Sequence, residues 1–132
     1  RDVEVPDLSA RRAGPLLLNP QVVRARTFRD FEAAAGDPDA APSPTRVFAR
    51  GDRLLIRVPA YDASGAPVGV SARLLNAWGH PMREIEAVPL PGGVAQFGLP
   101  LAWLGPGQYL IELTGTGERG AVKDRISFRL TG

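Results

Sequence analysis

From Arg46 to the C-terminus, apolar and polar side chains alternate along short runs separated by turn-forming clusters. Arg53–Tyr61 sets Leu54, Ile56, Val58 and Ala60 against Arg53, Arg57 and Tyr61. Val68–Asn76 sets Val68, Val70, Ala72 and Leu74 against Ser71 and Arg73. Val94–Pro100 places Ala95, Phe97 and Leu99 on one face, and Gln108–Thr114 turns Tyr109, Ile111 and Leu113 inward and Glu112 outward. Val122–Leu130 is the cleanest run: Val122, Ile126, Phe128 and Leu130 face in, Lys123, Arg125, Ser127 and Arg129 face out, and only Asp124 breaks the inward phase. A period of two belongs to a strand with one face buried and the other in water. Met82–Val88 is more polar and reads as an edge strand. Between the runs lie turns at Asp62–Gly65, Asn76–Pro81, Pro89–Gly93 and Gly115–Gly120, with Gly79 able to take positive φ, and a short helical turn at Leu101–Leu104.

The first third of the chain is less regular. Residues 1–14 read as an extended polar leader. Leu16–Arg26 reads as a first strand, with Pro20 marking a bulge or an edge. Thr27–Ala35 has the Phe28/Phe31 spacing and the alanines of a short helical turn, and residues 36–44, with three prolines and a glycine, form a loop that cannot pair within a central sheet. The expected organisation is an N-terminal extension over 1–44, carrying the first strand and the Pro-rich loop, and a β-sandwich over 45–132, together making one domain. About seven short antiparallel strands with half-buried alternation and at most a short helix describe an all-β, immunoglobulin-like sandwich; a small closed barrel is the runner-up.

Composition narrows the function classes. Glycine and proline together supply 28 of the 132 residues, which excludes a helical bundle. There is no cysteine and a single histidine, so disulfides, thiol catalysis and Cys- or His-rich metal sites are excluded, and no cofactor is implied. No apolar run reaches the roughly 18–20 residues of a membrane span. Sixteen cations face 14 acids, and 15 of the cations are arginine, so the sequence pI of about 9.7 reflects a residue type that does not titrate rather than a basic patch. Beyond Arg11–Arg12 and Arg24–Arg26–Arg29 the cations are interspersed with acids, which is not the footprint of a nucleic-acid partner. The chain starts at Arg1 without methionine and reads as a processed product or an excised piece.

Two resemblances add to this reading. Leu104-Gly105-Pro106-Gly107-Gln108-Tyr109 resembles the Leu-x-Pro-x-x-Tyr corner of fibronectin type III and other immunoglobulin-like domains, which implies that the Tyr109 hydroxyl bonds back to upstream backbone. The core tryptophan that fibronectin type III domains carry on strand B is missing from Arg53–Tyr61. Over roughly residues 44–132, the strings Phe48–Tyr61, Ala72–Asn76 and Leu99–Glu112 resemble the C-terminal domain of acidobacterial VWFA-related proteins. Those are large envelope or secreted proteins with an upstream von Willebrand factor A domain. The resemblance implies an extracytoplasmic address (periplasm, cell surface or secreted) and adjacent domains of the parent chain as partners. The metal motif of such A domains, Asp-x-Ser-x-Ser, is completed neither at Asp7-Leu8-Ser9 nor at Asp62-Ala63-Ser64, so no metal site carries over.

No catalytic constellation is legible. His80 lies in a turn before Pro81, and none of the serines stands in a nucleophile-elbow context. Glu84 and Glu86, two apart on one expected strand, would share a face, where they deter edge-to-edge pairing more readily than they flank a substrate. Arg50-Gly51-Asp52 spells the integrin-binding tripeptide but precedes a strand directly, where Gly-Asp is ordinary turn chemistry. Trp78, with Tyr61 and His80, forms the candidate surface for a ligand or partner, because an aromatic held in a turn can stack a sugar or anchor a protein. Trp103, following Leu99 and Leu101, is expected in the core. The sequence therefore points to a non-catalytic structural or protein-interaction module, with a carbohydrate-binding module as the alternative.

Overall fold

The computed structural model describes residues 16–62, 68–88, 94–117 and 120–131; for Leu16, Leu17, Tyr61 and Asp62 it describes the backbone only. Residues 118–119, within the turn expected at Gly115–Gly120, and the Asp62–Gly65 and Pro89–Gly93 turns beyond Asp62 fall outside the described residues, as do residues 1–15. The strands are β1 (Leu16–Leu18), β2 (Gln21–Ala25), β3 (Val47–Ala49), β4 (Arg53–Val58), β5 (Ala60–Asp62), β6 (Gly69–Asn76), β7 (Pro81–Glu84), β8 (Glu86–Ala87), β9 (Ala95–Pro100), β10 (Gly107–Gly117) and β11 (Gly120–Thr131); α1 spans Phe28–Ala35. A five-stranded sheet runs β3-β11-β10-β6-β7, a four-stranded sheet runs β2-β4-β9-β8, and β1 pairs with β5. The protein is an all-β sandwich with one short helix, as the alternation predicts.

Three of the expected strands are each divided between two ladders. Leu16–Arg26 becomes β1 and β2, Arg53–Tyr61 becomes β4 and β5, and Met82–Val88 becomes β7 and β8. The first two breaks are coupled. Leu18↔Ala60 and Val22↔Ile56 keep the same register on both sides of Pro20 and Pro59, which lie beside each other on the two strands. Neither proline can donate to the ladder, and one bond, Asn19 N to Pro59 O at 2.9 Å, carries the chain across the break. The third break falls at buried Ile85, so Glu84 and Glu86 stand at the edges of opposite sheets rather than on one strand face. One pairing departs from the all-antiparallel expectation: β3 lies parallel to β11, with Phe48 beside Leu130.

The core forms between the two sheets, from the inward phase of each run. Leu54 and Ile56 meet Leu74, Ile111, Phe128 and Leu130 there, and Phe48 packs edge-on against Phe128 at a centroid distance of 6.1 Å. Val22 of β2 is part of this core, so residues 16–44 are built into the sandwich. The outward phase of β4 is buried too. Leu55 joins Val23 and Ala35 in a second, smaller cluster with Phe31, Ala34, Ala40 and Val88, because α1 lies across the outer face of the four-stranded sheet.

Helix α1 starts where Thr27 Oγ1 accepts the Asp30 N–H at 3.0 Å, and it ends at Gly36. Its last carbonyls are taken up by buried side chains of the sheet. Arg57 Nη2 donates to Ala34 O at 2.6 Å, Gln96 Nε2 donates to Ala35 O at 3.0 Å, and Arg57 Nε donates to Gln96 Oε1 at 2.6 Å. A guanidinium at the negative end of the helix dipole is favourable on both counts. Phe31 seats on Gly98, where a Cβ would stand 2.7 Å from its ring, so the close approach of helix to sheet requires glycine there. The expectation that Arg57 faces water is thereby corrected: it is buried, with Nη1 lacking a hydrogen-bond partner.

Replacing Arg57 by Met should cost about 1–3 kcal/mol, because Gln96 Oε1 loses a buried donor and Ala34 O is left with the Asp37 N–H. Urea unfolding measures this. An unchanged midpoint would mean that burying the guanidinium cancels the worth of its bonds.

Candidate functional surface

With α1 on one outer face, the outer face of the five-stranded sheet is the broad surface left to carry chemistry. Cross-strand register builds a row of alternating charge on it: Arg125↔Glu112, Glu112↔Arg73 and Arg73↔Glu84. Arg73 Nε and Nη2 both lie 2.7 Å from Glu112 Oε1, and Arg125 Nη2 lies 3.1 Å from Oε2. Glu112 points outward as expected, yet only 4% of its side chain meets water because the two arginines lie over it. Burial pushes its carboxyl up. The hydrogen bonds from Arg125 and Arg73 and the charges of Arg73 and Lys123 outweigh this and hold it below the ordinary value of 4.5. Lys123 and Arg129 stand on the same face, since residues two apart on β11 share a side. The sequence, read linearly, shows these cations as scattered; strand pairing gathers them.

The β6–β7 turn sits at one end of this face. Asn76 pins it: its Oδ1 accepts the N–H groups of Trp78 at 2.9 Å and His80 at 3.0 Å, while Gly79, at φ 84°, donates to Asn76 O. A side chain on Gly79 would come within 3.7 Å of Arg125 Nη1, so the turn leans over the charged row. Trp78 nevertheless points away, with 82% of its surface exposed, and His80 is exposed beside it. Tyr61, the third residue expected at this surface, is paired through its backbone with Leu17; its side chain lies outside the described residues.

Trp103 is not in the core. It is 43% exposed and lies under the Arg83 guanidinium, 4.8 Å from ring centroid to carbon. Leu101 and Leu104 are buried instead, and a single bond from Leu104 N to Leu101 O closes the turn between them, which leaves Trp103 on the outside. At the corner, Leu104 is buried, Pro106 is exposed, and the Tyr109 hydroxyl donates to Gly105 O at 2.6 Å. Tyr109 stacks on Phe128 at 5.6 Å. The Arg50-Gly51-Asp52 tripeptide is folded into a turn: Asp52 is buried and its Oδ2 accepts the Ala49 N–H at 2.9 Å. Among the described residues no group of three or more His, Cys, Asp or Glu side chains is placed to hold a metal ion, and no helix is long and apolar enough to cross a membrane.

No protein-family model matches the chain, and no curated protein matches it. Among solved structures, it is similar to CopC from Methylosinus trichosporium OB3b. The identity is 18% and the TM-score 0.44, over 67% of this chain and 84% of that one. So distant a likeness shows neither a shared fold nor a shared function.

The lowered carboxyl of Glu112 sets a pH dependence. Its contribution is present above 4.5 and is lost as pH falls below that value through the folded-state titration. Glu112→Gln should therefore lower the thermal midpoint at neutral pH, with the deficit closing below pH 4.5. The effect should stay under about 1 kcal/mol, since both guanidinium groups face water. A deficit that persists unchanged in acid would show that shape rather than charge matters at this position.

Proposed function

We propose that this chain is a non-catalytic protein-interaction module of a larger extracytoplasmic bacterial protein, and that it docks a partner protein through Trp78. The observation that carries this reading is a large aromatic ring 82% exposed on a turn whose backbone is fixed by Asn76. An exposed apolar ring costs solubility, and fixing in advance the turn that carries it lowers the backbone entropy lost when it is covered. Tryptophan on a rigid turn with arginine nearby is the composition of an interface anchor. The extracytoplasmic address and the larger parent chain are supported by the resemblance of residues 44–132 to the VWFA-related proteins. The non-catalytic reading rests on the sequence, in which no catalytic constellation is legible.

A second reading, binding of carbohydrate, is favoured by the same ring: its face is open to stack a sugar, and His80 lies exposed two residues away. No cofactor enters either reading.

Photocross-linking separates the two. A photoreactive aromatic placed at position 78, illuminated in the native envelope, should give a discrete protein adduct. Excess unlabelled chain should compete it away, and a Trp78→Ala chain should not. Trp78→Ala should leave stability within about 0.5 kcal/mol of the parent, because the ring is not part of the core. A glycan array that responds to the chain and goes blank with Trp78→Ala would favour the carbohydrate reading. A hydrolytic activity abolished by changing His80 or Glu84 would overturn the non-catalytic assignment.

A further inference from the structure

The edge of β6 beside Val70 has a chemistry of its own. Strand β7 ends at Glu84, opposite Arg73, and the chain then leaves for the other sheet at Ile85, whose N–H donates to Ala72 O at 3.0 Å. Along an antiparallel strand, successive residues turn their backbone groups to alternate sides. Ala72 turns its carbonyl away from β10, so Val70, two residues earlier, does the same with its N–H and C=O. On that side β7 no longer reaches, and among the described residues nothing bonds to these groups. A groove of about 490 Å³ runs along this edge. Its inner wall is apolar, with Val70, Ala72 and Phe97 at the mouth of the core; its outer lip is polar, with Ser71, Thr114 and Lys123. Of the two carboxylates in the groove, Glu112 is neutralised by two arginines and Glu84 stands at the β7 end. Lys123 makes no ion pair among the described residues.

We propose that the β6 edge at Val70 accepts an extended peptide from a partner protein as an added strand, one whose side chains alternate apolar and acidic. An unpaired N–H and C=O on a strand edge are satisfied in full by another extended backbone. A strand laid there sends alternate side chains to opposite faces. One set enters the apolar wall against Phe97, and the other lies over Ser71 toward the charge of Lys123. The inference goes beyond the docking role of Trp78 and does not require it.

The test uses the full chain and a synthetic peptide of alternating valine and glutamate, with two control peptides. One has lysine in place of glutamate; the other is methylated at alternate backbone nitrogens, which removes ladder bonds and leaves charge intact. The parent peptide should bind saturably and slow hydrogen exchange at the Val70 amide by tenfold or more, both controls should fail, and Lys123→Glu should weaken binding about tenfold. Trp78→Ala should change none of this. Equal binding of the methylated peptide would reduce the interaction to charge alone and overturn the proposal. So would the absence of binding, or a Val70 amide already protected in the free protein, which would mean that the chain covers its own edge.

Discussion

The contact between Arg57 and the end of α1 decides which face of the sandwich is covered. Strand β4 has Leu54 and Ile56 in the main core and Leu55 and Arg57 under the helix, so both of its faces are dry. A buried guanidinium is tolerable only where acceptors are fixed in place. The terminal carbonyls of an eight-residue helix and the Gln96 side chain supply them. Ala34 O also accepts the Asp37 N–H, so Arg57 adds a second donor there, while Gln96 takes up Ala35 O; helix end and arginine thus support each other's burial. Once α1 lies on the four-stranded sheet, the outer face of the five-stranded sheet is left to water, with its charged row and the Trp78 turn.

A second constraint comes from chain that changes sheets. Pro20 and Pro59 interrupt neighbouring strands at adjacent positions, which lets one continuous register bend from the four-stranded sheet into the β1–β5 pair. Ile85 makes the other crossing and enters the core as it does so. Such crossings close the sides of a sandwich, but the second also ends β7 before β6 is fully paired. The Val70 backbone groups to which nothing bonds among the described residues follow from that early exit, which comes where the core takes Ile85.

Much of the fold is legible in the alternation. The inward phases of β6, β9, β10 and β11 are the ones that build the core, because half-burial imposes a period of two whatever the neighbours are. The burial of Leu55 and Arg57 had a signal in the unbroken run Leu54-Leu55-Ile56, which a strand with one wet face does not need. Trp103 misled because its proximity to Leu99 and Leu101 suggests the core, whereas a tight turn between Leu101 and Leu104 puts the residue before the second leucine outside. The Glu84/Glu86 pair misled because spacing of two implies a common face only along an unbroken strand.

Taken alone, the sequence determined that this protein is built of short strands, which residues of most strands face the core, where several turns fall, and that Trp78 sits in one of them. These properties are local: they follow from side-chain periodicity, proline and glycine within a few residues of each position. Only the tertiary structure decided that Arg73, Glu112 and Arg125 form one row, that Arg57 meets the end of a helix, and that Val70 faces an edge left unpaired among the described residues. Each of those depends on which strand lies beside which, and the backbone hydrogen bonds that choose strand neighbours are the same for every side chain.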